Sequence, residues 1–339
     1  MLIRLADICD IEKGQQIDTD KLEPSKPYKY INGGIKESGY FDEYNTIGNT
    51  ITVSEGGASC GYVNYVCEPF WCGCHCYRLT NHKVDSRYLY YALKANEQKI
   101  MDLRTGVAMP NIRKSSFENL VIKICESESE QQKVVLTLDK ITSLIKKSEH
   151  ELLLLDSIIK SRFNEMFGKD DGDTSLDSLC EICRGASPRP IQNFITNDSR
   201  GINWIKIGDV DPSAIYITKT EEKITMEGAS KSRIVHPGDF ILSNSMSFGR
   251  PYILGIDGCV HDGWLIVSKY QKHYRPLFLY YLLRSESVQN QFNKNAGGTT
   301  VKNLNSDLVK KTKVKLYPLE AQDRFVKFAE QIDKLKFSE

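Results

Sequence analysis

An excess of charge of either sign is missing from this chain: 45 Lys and Arg stand against 44 Asp and Glu over 339 residues, a net of +1. That balance withholds the global basicity that would advertise a nucleic-acid partner. Long apolar runs are also missing. No stretch reaches the roughly 18 consecutive apolar residues of a membrane-spanning helix. The opening segment MLIRLADICD carries Asp7 and Asp10 and no apolar core, so it does not read as a secretion signal. The expected location is cytoplasmic, and the ten cysteines are then expected to be reduced thiols. Catalytic signatures are absent too. There is no Asp/Asn-Pro-Pro-Tyr/Phe stretch of the kind that holds a flipped adenine, no G-x-x-x-x-G-K-S/T phosphate loop and no H-E-x-x-H pair. A methyl transferase, an ATP-driven motor and a zinc hydrolase are thereby disfavoured. The expectation is a non-enzyme without cofactor or metal.

What is present includes several segments that could pass for sites. FWCGCHC places Cys72, Cys74 and Cys76 on alternate residues, which on one strand would set the three sulfurs on one face and His75 on the other. A strand burying small side chains is the favoured reading. A zinc site with Cys60 or Cys67 is the alternative, without the usual C-x-x-C pairing. Cys180 and Cys183 form one such pair with no second pair nearby. IGDVD (207–211) and Asp239 could be taken for metal or nuclease acids, but Asp at a strand-to-turn junction is expected to bond the turn backbone. GGASCG (56–61) reads as a glycine-rich hairpin rather than a nucleophile loop.

The chain repeats itself. Leu5, Ile8, Cys9, Ile11 and Gly14 match Leu176, Leu179, Cys180, Ile182 and Gly185 at a constant offset. RYLYYALKANEQKI (87–100) matches LFLYYLLRSESVQN (277–290), and SSFENLVIKI (115–124) resembles SDLVKKTKVKLYP (306–318). A period this long means duplicated domains. Each copy opens with strand-like runs, YKYINGG and TITVSEGGASCGYVNYV in the first, NWIKIGDV and GDFILSNSMSFGRPYIL in the second. Each then predicts one helix, about 86–103 and 276–294, whose tyrosines are expected in the core rather than as a base-stacking platform.

Residues 126–168 contain neither Pro nor Gly before Gly168. Leu138, Ile141, Ile145, Leu152, Leu155, Ile159, Phe163 and Met166 fall at spacings close to a heptad, with Ser148 as the polar interruption. Ser127 or Ser129 can cap this helix. About 40 residues give roughly 60 Å, a length that suits a coiled-coil arm. LEAQDRFVKFAEQI (319–332) echoes ESEQQKVVLTLDKI (128–141), with Glu130 and Gln132 set against Glu320 and Gln322. The globules carry 15 basic and 15 acidic residues (1–125) and 19 and 15 (171–317), while 126–170 carries 7 and 9 and 318–339 carries 4 and 5. Neutral to mildly basic globules and acidic helices are compatible with DNA on the former and protein partners on the latter.

This order of globule, long helix, globule and second helix, with its LYYAL and LYYLL helices, resembles the specificity subunit of a type I restriction-modification system. The resemblance covers essentially the whole chain. It implies a mixed α/β fold: two tandem target recognition domains (1–125 and 171–317), a central coiled-coil spacer helix (126–170) and a C-terminal helix (318–339). It further implies double-stranded DNA with a bipartite site as the ligand. Modification (methyltransferase) subunits are implied partners on the helices, and restriction subunits join through the complex. The second helix, about 20 residues, is shorter than the family's pattern of two comparable arms. A stand-alone restriction or methylation enzyme, and an antirestriction decoy that sequesters methyltransferase subunits, are the alternatives.

Within that frame the scaffold repeats while the loops differ, as two readers of different sequences would require. The first copy offers Gln15, Gln16, Asn32, Lys36, Ser59, Arg104, Asn111, Arg113 and Lys114 as DNA-contacting candidates. The second offers Arg184, Ser187 and Arg189 in RGASPR, then Lys206, Ser247, Arg250, Thr299, Thr300, Lys302 and Asn303. Arg can pair with guanine, Gln or Asn with adenine, and Ser or Thr with either, while Lys suits phosphates. Each of these is equally able to be a solvated turn residue.

Overall fold

The computed structural model describes residues 1–106, 109–168, 172–244, 249–295 and 304–336. The chain divides into two compact units, Met1–Ser148 and Glu149–Glu339.

In the first unit the strands are β1 (Leu2–Arg4), β2 (Asp10–Lys13), β3 (Tyr28–Ile31), β4 (Gly39–Phe41), β5 (Thr50–Ser54), β6 (Val63–Val66), β7 (Phe70–Cys72), β8 (Cys76–Thr80) and β9 (Val121–Lys123). Helices α1 (Ser86–Ala95), α2 (Glu97–Met101) and α3 (Lys114–Glu118) precede β9, and α4 (Glu128–Phe167) follows it. One sheet runs β2-β8-β5-β6, all antiparallel; a second runs β4-β3-β7, with β3 and β7 parallel. β5, with the β-branched run TITV, is buried along its whole length. Its Ile51 and Val53 meet Leu5, Leu79, Leu89 and Phe117 in the core.

The second unit repeats the plan. Its strands are β10 (Thr174–Ser175), β11 (Glu181–Arg184), β12 (Ile195–Thr196), β13 (Ile202–Ile205), β14 (Tyr216–Ile217), β15 (Glu222–Ile224), β16 (Arg233–Val235), β17 (Phe240–Ser243), β18 (Pro251–Leu254), β19 (Gly258–Val260), β20 (Trp264–Ser268) and β21 (Lys313–Val314). Its helices are α5 (Met226–Ser230), α6 (Pro276–Leu283), α7 (Glu286–Asn295), α8 (Ser306–Lys311) and α9 (Leu319–Leu335). The sheet β11-β20-β17-β18-β14 corresponds to β2-β8-β5-β6 with one added strand. The parallel pair β13 and β19 corresponds to β3 and β7.

The single helix expected in each copy is in fact two. Asn96 leaves the helical region (φ −105°, ψ 14°), and its side-chain amide donates to Ala92 O at 2.8 Å, which ends α1. In the second copy Ser285 Oγ accepts from Val288 N at the start of α7. Both are side chains that compete with the helix for backbone groups. Of the tyrosines expected in the core, Tyr88, Tyr280 and Tyr281 are buried and Tyr90 packs half-buried against it, whereas Tyr91 is half-buried with its hydroxyl on Asp139. α6 is buried from Leu277 to Leu283, as a helix apolar on all sides must be.

The arm is one helix of 40 residues, α4. The expected stripe is divided by burial: Ile159 and Phe163 are buried, whereas Ile141, Ile145 and Leu152 are exposed. In the first unit its start is tied down by Gln131, whose Nε2 donates to Cys125 O at 2.8 Å and whose Oε1 accepts from Asp85 N. Asp139 accepts from Arg87 at 2.8 Å and from the Tyr91 hydroxyl. In the second unit the end of α4 lies antiparallel to α9. Lys336 Nζ bonds Asp156 at 2.6 Å, Phe325 meets Phe163 edge-on, and Tyr317 OH donates to Phe167 O. Gln322 occupies in α9 the role of Gln131 in α4: it accepts from Arg275 N and donates to His273 O and Tyr317 O. The equivalent of Gln322 is therefore Gln131, one residue before the Gln132 that the sequence comparison pairs with it.

Candidate nucleic-acid interface

The Cys72–Cys76 segment is not one strand. Cys72 ends β7, residues 73–75 turn, and Cys76 begins β8. The chain passes here from one sheet of the first unit to the other. Gly73 allows it, because a Cβ there would lie 2.3 Å from Asn32 Oδ1. Cys72 and Cys76 are buried and Cys74 is half-exposed. Among the described residues no group of three His, Cys, Asp or Glu side chains is placed to hold a metal ion.

The turn 73–75 is the hub of the first unit's loops. Asn32 Oδ1 accepts from His75 N at 3.1 Å, and Gln16 Oε1 meets the Cys74 thiol. Gln15 N donates to Cys72 O and Glu55 N to His75 O. Gly14 must lack a side chain, since a Cβ would lie 2.2 Å from Gly73 O. Asn111 pairs with Gly56 and with Thr105, so the 104–111 loop is stitched to the glycine-rich loop that carries Ser59. Arg104 and Lys36 are exposed. Arg113 and Lys114 open α3, and Lys114 faces Glu118 at 3.5 Å.

The second unit builds the same frame from other residues. A Cβ on Gly185 would lie 2.2 Å from His261 O. Asn244 N donates to Gly263 O, as Glu55 N does to His75 O. Leu304 N donates to Asn244 O, as Ile112 N does to Glu55 O. Strand register sets Arg184 against Leu265 and Lys13 against Tyr77, so Asp262 is the counterpart of Cys74. Asp262 gathers the RGASPR loop. Ser187 Oγ donates to its Oδ1 at 2.8 Å, Arg189 Nη2 to its Oδ2 at 3.0 Å, and Arg184 Nε to its carbonyl at 2.7 Å. The Ser187 bond first, then the residue's own backbone N–H and the Arg189 guanidinium, hold this carboxyl below the ordinary range against its partial burial. Arg184 and Arg189 thus stand exposed but already engaged by Asp262.

Lys206 pairs with Glu222 at 2.7 Å and Arg250 donates to Pro212 O at 2.6 Å. No contact brings either to Asp262 among the bonds described. Ser247, Thr299, Thr300, Lys302 and Asn303 lie outside the described residues. The acids considered as catalytic serve turns: Asp209 accepts from Lys206 N, Asp211 from Ser213 N and Asp239 from His236 N. Sequence reasoning passed over Lys13, Glu55, Asn244 and Asp262. The repeat offset could have found Lys13, because it pairs Lys13 with Arg184.

The type I restriction modification DNA specificity domain model matches residues 1–154 and again residues 171–338. A putative type I specificity subunit of Mycoplasma pneumoniae is 33% identical over 208 residues, covering 56% of this chain and 55% of that protein. One from Mycoplasma genitalium is 37% identical over 134 residues, covering 39% and 35%. The matched part therefore spans about half of the first relative's length and about a third of the second's. The crystal structure of a type I restriction-modification system S subunit from M. genitalium shares the fold at a TM-score of 0.61 and 20% identity, covering 100% of this chain and 90% of that one.

Proposed function

The chain belongs to the type I restriction-modification DNA specificity domain family, and from that membership we propose that it is the subunit that recognises a bipartite double-stranded DNA site for a methyltransferase and endonuclease complex. It performs no chemistry itself. The loops of residues 1–125 read one half-site and those of 171–317 the other. The helices 126–170 and 318–339 hold the modification subunits, through which the restriction subunits join in the cytoplasm. The observation that carries this reading is the pair of equivalent turns, 73–75 and 261–263, on one backbone frame with different side chains: Gln16 with Cys74 in one unit, Ser187 with Asp262 in the other.

The exposed apolar residues of α4, such as Ile141, Ile145, Leu152 and Leu153, support the docking role. Among the described residues no helix is long and apolar enough to cross a membrane. Methylome sequencing of a host carrying this chain with its methyltransferase subunit tests the reading. The expected result is methylation at a two-part motif that changes in one half when the loops of one unit are exchanged. Methylation without a motif, or activity of the pure chain with S-adenosylmethionine, counts against it.

A further inference from the structure

One buried acid in the first unit has no counterpart in the second. Glu55 follows β5 and is 5% exposed. Its Oε1 accepts from Lys13 Nζ at 2.6 Å and lies 3.2 Å from the Tyr77 hydroxyl. Tyr77 OH also lies 2.9 Å from Ile112 O. A phenol has one proton, so it cannot donate to both acceptors, and Lys13 is the firm partner of the carboxylate. Burial, with the Glu55 charge beside it, raises the Tyr77 pKa and keeps the phenol neutral. Glu55 Oε2 is buried with no hydrogen-bond partner among the described residues. A carboxylate in such a place is tolerated only if a cation stays beside it.

Lys13 is that cation, and it is half-exposed at the end of β2. It stands directly before Gly14, Gln15 and Gln16. At the corresponding position the second unit has Arg184, held by the Asp262 carbonyl, and in place of Glu55 it has Asn244. The two units thus fix the equivalent cation by different means, one with a buried charge and one with a neutral backbone oxygen.

We propose that Glu55 is a positioning residue for Lys13, and that the Lys13–Glu55 pair is a base-reading element of the first unit. This rests on the DNA-recognition reading above. The pair is neutral as a whole, so it contributes little to the general attraction for phosphates. What remains to the ammonium is its directed N–H donors, and these suit the O6 and N7 acceptors of a guanine edge. A free lysine would do the reverse, adding attraction without direction.

The test uses the full chain with its modification subunits and a library of duplexes, with affinity measured across a salt series. The double variant Lys13→Met with Glu55→Gln removes the pair without leaving a buried charge, so it is the form expected to fold. It should keep the wild-type salt dependence and lose preference at one base pair of one half-site by about tenfold or more. Glu55→Gln alone frees the ammonium. It should bind random duplexes more tightly, steepen the salt dependence by about one phosphate contact and relax the same base pair. A merely structural role of Glu55 would not steepen the salt dependence. If the double variant selects the wild-type sequence in both halves, or if its salt dependence falls by about one contact so that Lys13 meets phosphate instead, the assignment is overturned. A wild type with no sequence preference overturns the recognition reading itself, and this inference with it.

Discussion

Replacing Asp262 with alanine removes the anchor of the RGASPR loop and one negative charge from the second unit's interface. The Arg189 pair is 79% exposed on the arginine and 38% on the aspartate, so it is worth about 0–1 kcal/mol. The Ser187 bond to a charged acceptor is worth about 1.5–3 kcal/mol, toward the lower end because the carboxylate is partly hydrated. Together the loss of folding stability is about 2 kcal/mol, read as a lower denaturant midpoint.

DNA binding should move the other way. Without the acid, Arg189 is a free cation, and the salt dependence of affinity should steepen by about one phosphate contact. Affinity for random duplexes rises, while discrimination falls by about 1–3 kcal/mol at one half-site, because Ser187 and Arg189 lose their positions, whereas Arg184 keeps the main-chain carbonyl of residue 262. Anisotropy across a salt series gives the slope, and methylome sequencing gives the half-site. Asp262→Asn separates the two effects, since it keeps an acceptor for Ser187 and loses the charge. The acid limb supplies a sign. A carboxyl held below its ordinary value of about 3.9 stabilises the fold above that pH, and this contribution is lost as the pH falls through the lowered folded value. The stability gap between wild type and Asp262→Asn should therefore close in acid. An unchanged salt slope, or relaxation spread equally over both halves, refutes the reasoning.

Four further outcomes are expected. Phe163→Ala empties the centre of a cluster formed with Phe167, Phe278, Tyr281 and Phe325 and should cost about 3–5 kcal/mol of second-unit stability, measured by denaturation. Gln322→Ala leaves the Arg275 amide and two carbonyls without their partner at a fully buried site, a loss of about 1–3 kcal/mol; a smaller loss for Gln131→Ala would show that the two glutamines are not equivalent. Leu152→Asp with Leu153→Asp changes side chains that are 43% and 69% exposed, so circular dichroism should stay intact while assembly with the modification subunit is lost in size-exclusion chromatography. Mass spectrometry after brief alkylation at pH 8 should find Cys67 modified and Cys9 and Cys180 spared, because those two are buried and their thiols are pushed up to about 12.

The repeat was legible because it is written in local signals. The residues from Leu5 to Gly14 and from Leu176 to Gly185 form the same short 3-10 turn and strand in both copies. The arm was legible because 40 residues without Pro or Gly leave few alternatives to a helix. The turn at 73–75 was not. Alternation of small residues looks the same whether a strand continues or hands the chain to another sheet, and the deciding contact is Gly73 against Asn32, far away in sequence. The same holds for Asp262, whose partners Ser187 and Arg189 lie 75 and 73 residues before it. The register of Gln131 was missed for a related reason: two adjacent glutamines satisfy one pattern, and only the bonds of the buried Gln131 side chain to Asp85 N and Cys125 O choose between them.

The distinction between what is shared and what differs at the interface has a physical basis. In both units the frame is made of main-chain bonds: Gly14 N to Cys76 O and Gly185 N to Trp264 O, Glu55 N to His75 O and Asn244 N to Gly263 O, Ile112 N to Glu55 O and Leu304 N to Asn244 O. Main-chain bonds do not depend on side-chain identity, except where a glycine is needed for close approach, as at Gly14 and Gly185. Side chains projecting from such a frame can be exchanged without dismantling it, provided that each exchanged group brings its own partner. Ser187 and Arg189 come with the Asp262 carboxylate, and Lys13 comes with Glu55. The unit of exchange is therefore the partnered cluster rather than the single residue. Moving Asp262 alone to the position of Cys74 would set an acid there without Ser187 or Arg189 beside it, whereas moving the three together would carry the charge balance with them.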